Sequence, residues 1–231
     1  MDDYLMIGDG AGHRMIAAPT GAGKSYTVGA AVEELYARRI PFILLDTKTV
    51  NHIGLIQLPD VKLLKISPRL DYDNLDALLD IPYILCVPAS KTIPIQDIIE
   101  VYREIVNHIW LHQNHGRIII VEEAHNWCKN ASVPDPLLEQ IAREGRSSKI
   151  FVWFVTQRLQ NFSQLLWSQC TYTYLWHFVI PTDVKYVGQM VPNFEKINRE
   201  ELMRHDVLIW DMNEYTIVKA NRVKRITQHK G

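Results

Sequence analysis

At 231 residues, 47% of them apolar, the chain has material for one sizeable core and little left for a second. Its 25 lysines and arginines nearly cancel 26 aspartates and glutamates, a formal net charge of −1, so no molecule-wide basic field marks a nucleic-acid binder and any such contact must be local or shared between subunits. Three scattered cysteines, Cys86, Cys128 and Cys170, argue against a disulfide framework or zinc site. With no secretory leader and no apolar run near about 18 residues, a cytoplasmic protein without a membrane span is expected.

Short apolar runs predict strands near Met15–Ala18, Phe42–Asp46, Lys62–Ile66, Tyr83–Val87, Arg117–Glu122, Ile150–Thr156, Thr171–Phe178 and Val207–Asp211. The last turns through 212–214 into Tyr215–Arg222 as a C-terminal β-hairpin. Between them, 25–39 and 94–113 carry apolar residues at three- and four-residue spacing and read as helices, with a shorter helix over 136–148 ending near Gly145. Alternation of this kind predicts an α/β fold, a mainly parallel sheet flanked by helices, in a single domain spanning 1–231. Segments 70–76 and 130–136 read as loops, and 223–231 as a flexible basic tail.

The first predicted strand runs directly into "APTGAGKS", Ala18-Pro19-Thr20-Gly21-Ala22-Gly23-Lys24-Ser25, and then into a helix. Glycines at 21 and 23 let the backbone curl so that its amides face an anion, and the new helix offers its positive end to the same charge. This is a P-loop with alanine at the first glycine position. Lys24 is placed to reach β- and γ-phosphates and the Ser25 hydroxyl to ligate Mg²⁺. ATP and Mg²⁺ are the expected cofactors.

Farther on, "RIIIVEEAHNW" ends a buried strand on two adjacent carboxylates. Beside a P-loop, Glu122 reads as the Mg²⁺-side acid and Glu123 as the base that orients and deprotonates water. The predicted strands at 42–46 and 83–87 separate the P-loop from this acid strand, the order of the NTPase division that uses a catalytic glutamate (ASCE). That order argues against a small-molecule kinase and a GTPase, and no guanine-reading Asn-Lys-x-Asp is present. Gln157, at the end of the next strand, is a candidate γ-phosphate sensor.

Taken in order, "APTGAGKS", "LLDTK", "IIIVEEAHNW", "AREGR" and "TQRLQNFSQLLWSQC" resemble the HerA/FtsK group of RecA-like DNA-translocating ATPases. The resemblance covers residues 14 to about 180, with "TQRL" standing where "SQRP" is usual. It implies a ring, usually a hexamer, that closes ATP sites between subunits and moves double-stranded DNA through its centre. It also implies a trans-acting arginine within "REGR", Arg146 before Arg143, and an acid near the nucleotide at Asp46. Lys129 and Arg158 are the candidate DNA contacts. The chain lacks the additional domains of cellular relatives and is similar in extent to genome-packaging ATPases of icosahedral, often membrane-containing, DNA viruses. That extent implies viral packaging, with capsid vertex proteins as partners and a virion vertex as the place of action. The alternatives are a plasmid or cellular HerA-like motor and an ATP-dependent assembly switch that moves nothing. A two-lobed DEAH-type helicase would need a second motor domain.

Overall fold

The computed structural model describes residues 10–68, 75–113 and 115–229. Strand β1 (Arg14–Ala17) leads through the glycine loop into α1 (Lys24–Ala37), followed by β2 (Phe42–Leu45), β3 (Val61–Ile66), α2 (Asp76–Leu79), β4 (Tyr83–Pro88) and α3 (Ile95–His112). Then come β5 (Arg117–Val121), α4 (Pro136–Ser148), β6 (Ile150–Thr156), α5 (Gln164–Ser168), β7 (Tyr172–Leu175), α6 (Pro181–Gly188), α7 (Phe194–Glu200), β8 (Val207–Trp210) and β9 (Tyr215–Val218).

The described residues form a nine-stranded sheet in the order β3-β4-β2-β5-β6-β1-β7-β8-β9. It is parallel from β3 to β7, and the C-terminal hairpin joins antiparallel. Strand β6 lies between the P-loop strand β1 and the acid strand β5.

Period-two alternation of apolar side chains explains two cores rather than one. Met15, Ile43, Ile119, Val152 and Phe154 pack on one face with Ile98, Tyr102, Ile105 and Ile109 of α3. Ile16, Leu44, Ile120, Trp153 and Val155 pack on the other with Val28, Ala31, Val32 and Leu35 of α1. All three cysteines are buried and free.

Several boundaries differ from the sequence reading. Helix α4 starts as its chemistry dictates: Asp135 accepts from the amides of Leu137 and Leu138, and Pro136 occupies the first turn. It does not end at Gly145. The helix continues to Ser148 and is capped by Lys149 in the left-handed region (φ 56°). Gly145 serves packing instead, since a Cβ there would fall 2.2 Å from the Ile150 carbonyl oxygen. The strand expected over 171–178 spans only Tyr172–Leu175, and that over 215–222 stops at Val218 before a 3₁₀ turn at Ala220–Arg222. The loop reading is met over 130–135, with Pro136 already in α4, whereas residues 70–74 lie outside the described residues and Asp76 opens α2.

The basic tail makes specific contacts where it is described. The Glu33 carboxylate on α1 accepts from the Ile226 amide (2.6 Å), the Thr227 amide (2.9 Å) and the Thr227 hydroxyl (2.6 Å). The Arg225 side chain is buried beside the same carboxylate. Residues 230 and 231 lie outside the described residues.

Candidate active site

Parallel α/β sheets bind ligands outside the carboxyl ends of their strands, and the carboxyl ends of β1, β2, β5 and β6 gather the predicted residues here. Ala18 extends β1 by one ladder bond, its amide 3.3 Å from the Thr156 carbonyl. Gly21 and Gly23 then adopt φ of 78° and 98°, where a Cβ would strain the chain, and α1 begins at Lys24. The loop is therefore shaped as an anion cradle at a helix N-terminus.

Glu122 continues β5, its amide bonded to the Leu45 carbonyl (3.1 Å), and its carboxylate is 2% exposed. Lys24 Nζ lies 3.1 Å from Oε2 and His52 Nε2 lies 2.8 Å from Oε1. Burial pushes this carboxyl's pKa up, but the Lys24 ammonium and the His52 hydrogen bond outweigh burial and hold it at about 2.

Glu123 takes φ 50°, a left-handed conformation that costs energy for a non-glycine residue and turns the chain into a 3₁₀ turn at Ala124–Asn126. That reversal gives the two neighbouring carboxylates separate surroundings. Glu123 Oε1 is 4.0 Å from Lys48 Nζ, while Oε2 is 3.5 Å from His125 Nδ1 and has no hydrogen-bond partner. Burial raises its pKa, Lys24 opposes that shift and Glu122 adds to it. Such an acid sits nearer the range of a working base than a solvated glutamate does.

Asp46 follows β2 and is 1% exposed. Its Oδ1 accepts from the Lys48 amide (2.9 Å), its carbonyl accepts from the Tyr102 hydroxyl (2.6 Å), and its Oδ2 has no hydrogen-bond partner. Burial lifts its pKa to about 6; the nearby Glu122 carboxylate adds to the rise, and His52, the Lys48 amide and Lys24 oppose it. Gln157 follows β6 directly, and its Oε1 accepts from the Thr20 hydroxyl (2.8 Å), tying the end of β6 to the P-loop.

The other predicted residues lie elsewhere. Helix α4 ends where β6 begins, at the amino-terminal end of that central strand and so opposite the cradle, and Arg143 and Arg146 do not join this chain's own cluster. Arg143 pairs with Glu139 at 2.6 Å, whereas Arg146 is exposed. Lys129 and Arg158 are both exposed and line one open groove of about 640 Å³ together with His125 and Asn126.

Sequence reasoning missed His52, Lys48, His125 and His205, whose Nδ1 lies 2.9 Å from the Ala22 carbonyl of the P-loop. None sits at a motif position except His125 and Lys48, which flank the acids in "EEAH" and "LDTK". Among the described residues no group of three or more His, Cys, Asp or Glu is arranged to hold a metal. The ionised Glu122 oxygen and the Ser25 hydroxyl are hard donors of the kind Mg²⁺ takes when phosphates supply the rest. The residues present thus fit that ion.

The fold is that of a RecA-like P-loop NTPase, a mainly parallel sheet with the phosphate loop between β1 and α1. The sequence matches no protein-family model and no curated protein. Solved structures share the fold at low identity. The genome packaging NTPase B204 from Sulfolobus turreted icosahedral virus 2, in complex with ATP-gammaS, superposes with a TM-score of 0.68 at 15% identity, over 90% of this chain and 97% of that one. VirB4 of Thermoanaerobacter pseudethanolicus gives 0.69 at 11% identity, over 90% and 88%. The bacterial conjugative coupling protein TrwBdeltaN70 gives 0.63 at 10%, over 89% and 83%. The resemblance to HerA/FtsK-type P-loop ATPases drawn from the motifs is therefore met in the fold. No helix among the described residues is long and apolar enough to cross a membrane.

Proposed function

We propose that this chain is an ATPase of the HerA/FtsK group that translocates double-stranded DNA, and that it serves as a viral genome-packaging motor. The observation that carries the reading is the buried Lys24–Glu122–His52 chain beneath a glycine-shaped P-loop, with a second, strained glutamate one residue on. A solvated surface pair of acids would need none of these features.

The P-loop amides and Lys24 bind the phosphates, so Lys24 leaves Glu122 as nucleotide arrives. Ser25 and Glu122 are the residues that would hold Mg²⁺, which would supply positive charge to offset that of the phosphates. Glu123 accepts the proton of the attacking water, its raised pKa suiting it to that task. Gln157, already bonded to Thr20, reports on the γ-phosphate position. Arg146, exposed in the last turn of α4 near the start of β6, reaches the site of a neighbouring subunit, so the competent enzyme is an oligomer, most simply a hexameric ring. Lys129 and Arg158 contact the DNA backbone from their shared groove without reading sequence.

The packaging role, with capsid vertex proteins as partners, rests on the extent of the overlap with B204, whose chain is covered at 97%. A conjugative or HerA-like motor is the second reading, supported by the likeness to VirB4 and TrwBdeltaN70. The test is ATPase rate against protein concentration, with and without long double-stranded DNA, at low and moderate salt. A steep concentration dependence with salt-sensitive DNA stimulation supports the motor. A flat, DNA-indifferent rate favours an assembly switch.

A further inference from the structure

We propose that His52 is a positioning residue for Glu122, keeping that carboxylate in place once Lys24 has moved to the nucleotide. The inference rests on the P-loop ATPase reading above and extends it to a residue outside every motif.

His52 opens the 3₁₀ turn Ile53–Gln57 between β2 and β3 and is 0% exposed. Its Nε2 lies 2.8 Å from Glu122 Oε1, and its Nδ1 is buried with no hydrogen-bond partner. Because an ionised carboxylate only accepts, the imidazole donates through Nε2–H. Histidine is a costly occupant for a fully buried position whose second nitrogen goes unmet, so the single bond to Glu122 is its one polar return.

Two features make that bond consequential. The Glu122 side chain has three rotatable bonds to hold in place, and its other oxygen is held by Lys24 at 3.1 Å. When Lys24 turns to phosphate, the 2%-exposed carboxylate would lose its charge partner and its fixed rotamer together, unless a second donor remains. His52 supplies that donor from a turn that is itself clamped. A Cβ on Gly54 would fall 1.9 Å from the Gln228 carbonyl oxygen, and Gln57 Oε1 accepts from the Gln228 amide at 3.1 Å. The C-terminal segment thus backs the turn. Partners that orient a metal-linked acid typically change metal affinity or activity by about 10–100-fold when removed.

The experiment measures affinity for a fluorescent ATP analogue in EDTA and in Mg²⁺, for wild type and for His52→Gln, His52→Asn and His52→Leu, with thermal unfolding as a check on folding. Glutamine sets an amide nitrogen near the Nε2 position, whereas asparagine falls short and leucine has no donor. All folded variants are expected to bind within about twofold of wild type in EDTA, because the P-loop and Lys24 are untouched. The gain in affinity on adding Mg²⁺ falls by about tenfold or more in His52→Asn or His52→Leu, whichever folds, and is retained within about threefold in His52→Gln. An undiminished gain in a folded variant lacking the donor, or equal losses in all three, overturns the role of His52 while leaving the nucleotide site standing. Wild type that binds no nucleotide, or a Lys24→Ala variant that binds as well as wild type, overturns the nucleotide reading and this inference with it.

Discussion

Replacing Lys24 with alanine has two consequences that can be separated. Loss of the ammonium removes the main phosphate contact, so ATP binding is expected to fall below detection. It also acts on the nucleotide-free protein, because Lys24 is 8% exposed and its partner Glu122 only 2%. Breaking a buried ion pair by deleting one member costs about 3–5 kcal/mol, since the remaining charge stays desolvated. Here Glu122 keeps its 2.8 Å bond from His52, so the lower end, about 3 kcal/mol, applies. For a chain of this length that is roughly 6–12 °C in unfolding midpoint. Adding Glu122→Gln removes the stranded charge while leaving an oxygen for His52, so the double variant recovers most of the lost stability and none of the ATP binding. Thermal unfolding by circular dichroism without nucleotide, beside a fluorescent-nucleotide titration, measures both. The pH dependence has a defined sign. The Glu122 pKa is depressed, so the pair's contribution is full above the unfolded glutamate value of 4.5 and is lost as pH falls toward about 2. Wild-type stability in Lys24→Ala, or a double variant no more stable than the single one, would refute the buried-pair argument even if ATP binding were lost.

Glu123→Gln should bind ATP normally yet turn it over at least about 100-fold more slowly in a steady-state phosphate-release assay; undiminished turnover moves the base elsewhere. Arg146→Ala should be inactive alone but regain partial activity when mixed with Glu123→Gln subunits, because each supplies what the other's site lacks; no rescue across mixing ratios argues against a trans arginine. Asp46→Asn should stabilise the nucleotide-free fold. The Asp46 pKa rises from 3.8 to about 6, so ionisation on going from low pH through 6 costs the folded state on the order of 3 kcal/mol, a cost the amide avoids. The variant's higher unfolding midpoint should be plain at pH 8 and vanish near pH 4; equal midpoints at pH 8 would contradict it.

Local chemistry was legible wherever neighbours in sequence are neighbours in space. The sequence by itself determined the P-loop, whose two glycines and helix start are adjacent. It also determined the parallel core, because strands buried on both faces must be apolar throughout, and the hairpin, where Asp211 Oδ1 accepts from the amides of Asn213 and Glu214 across the turn. Helices α5, α6 and α7 escaped notice because they are only five to eight residues long, too short for a 3.6-residue period to register. Gly145 misled because a glycine near a helix end looks the same whether it caps the helix or admits a crossing strand.

Only the tertiary structure decided how the two acids divide. Side by side in the chain, Glu122 and Glu123 look equivalent; the left-handed turn at Glu123 sends one toward Lys24 and His52 and the other toward Lys48 and His125. His52 stands 70 residues from Glu122 and Gln157 stands 137 from Thr20. No periodicity or spacing rule links such pairs, because the sheet order that joins them is a property of the packed whole. Burial fixed the electrostatics in the same way: Asp46 and Glu122 are both strand-end acids near Lys24 and His52, yet burial raises the pKa of one while direct hydrogen bonds from those two side chains lower that of the other.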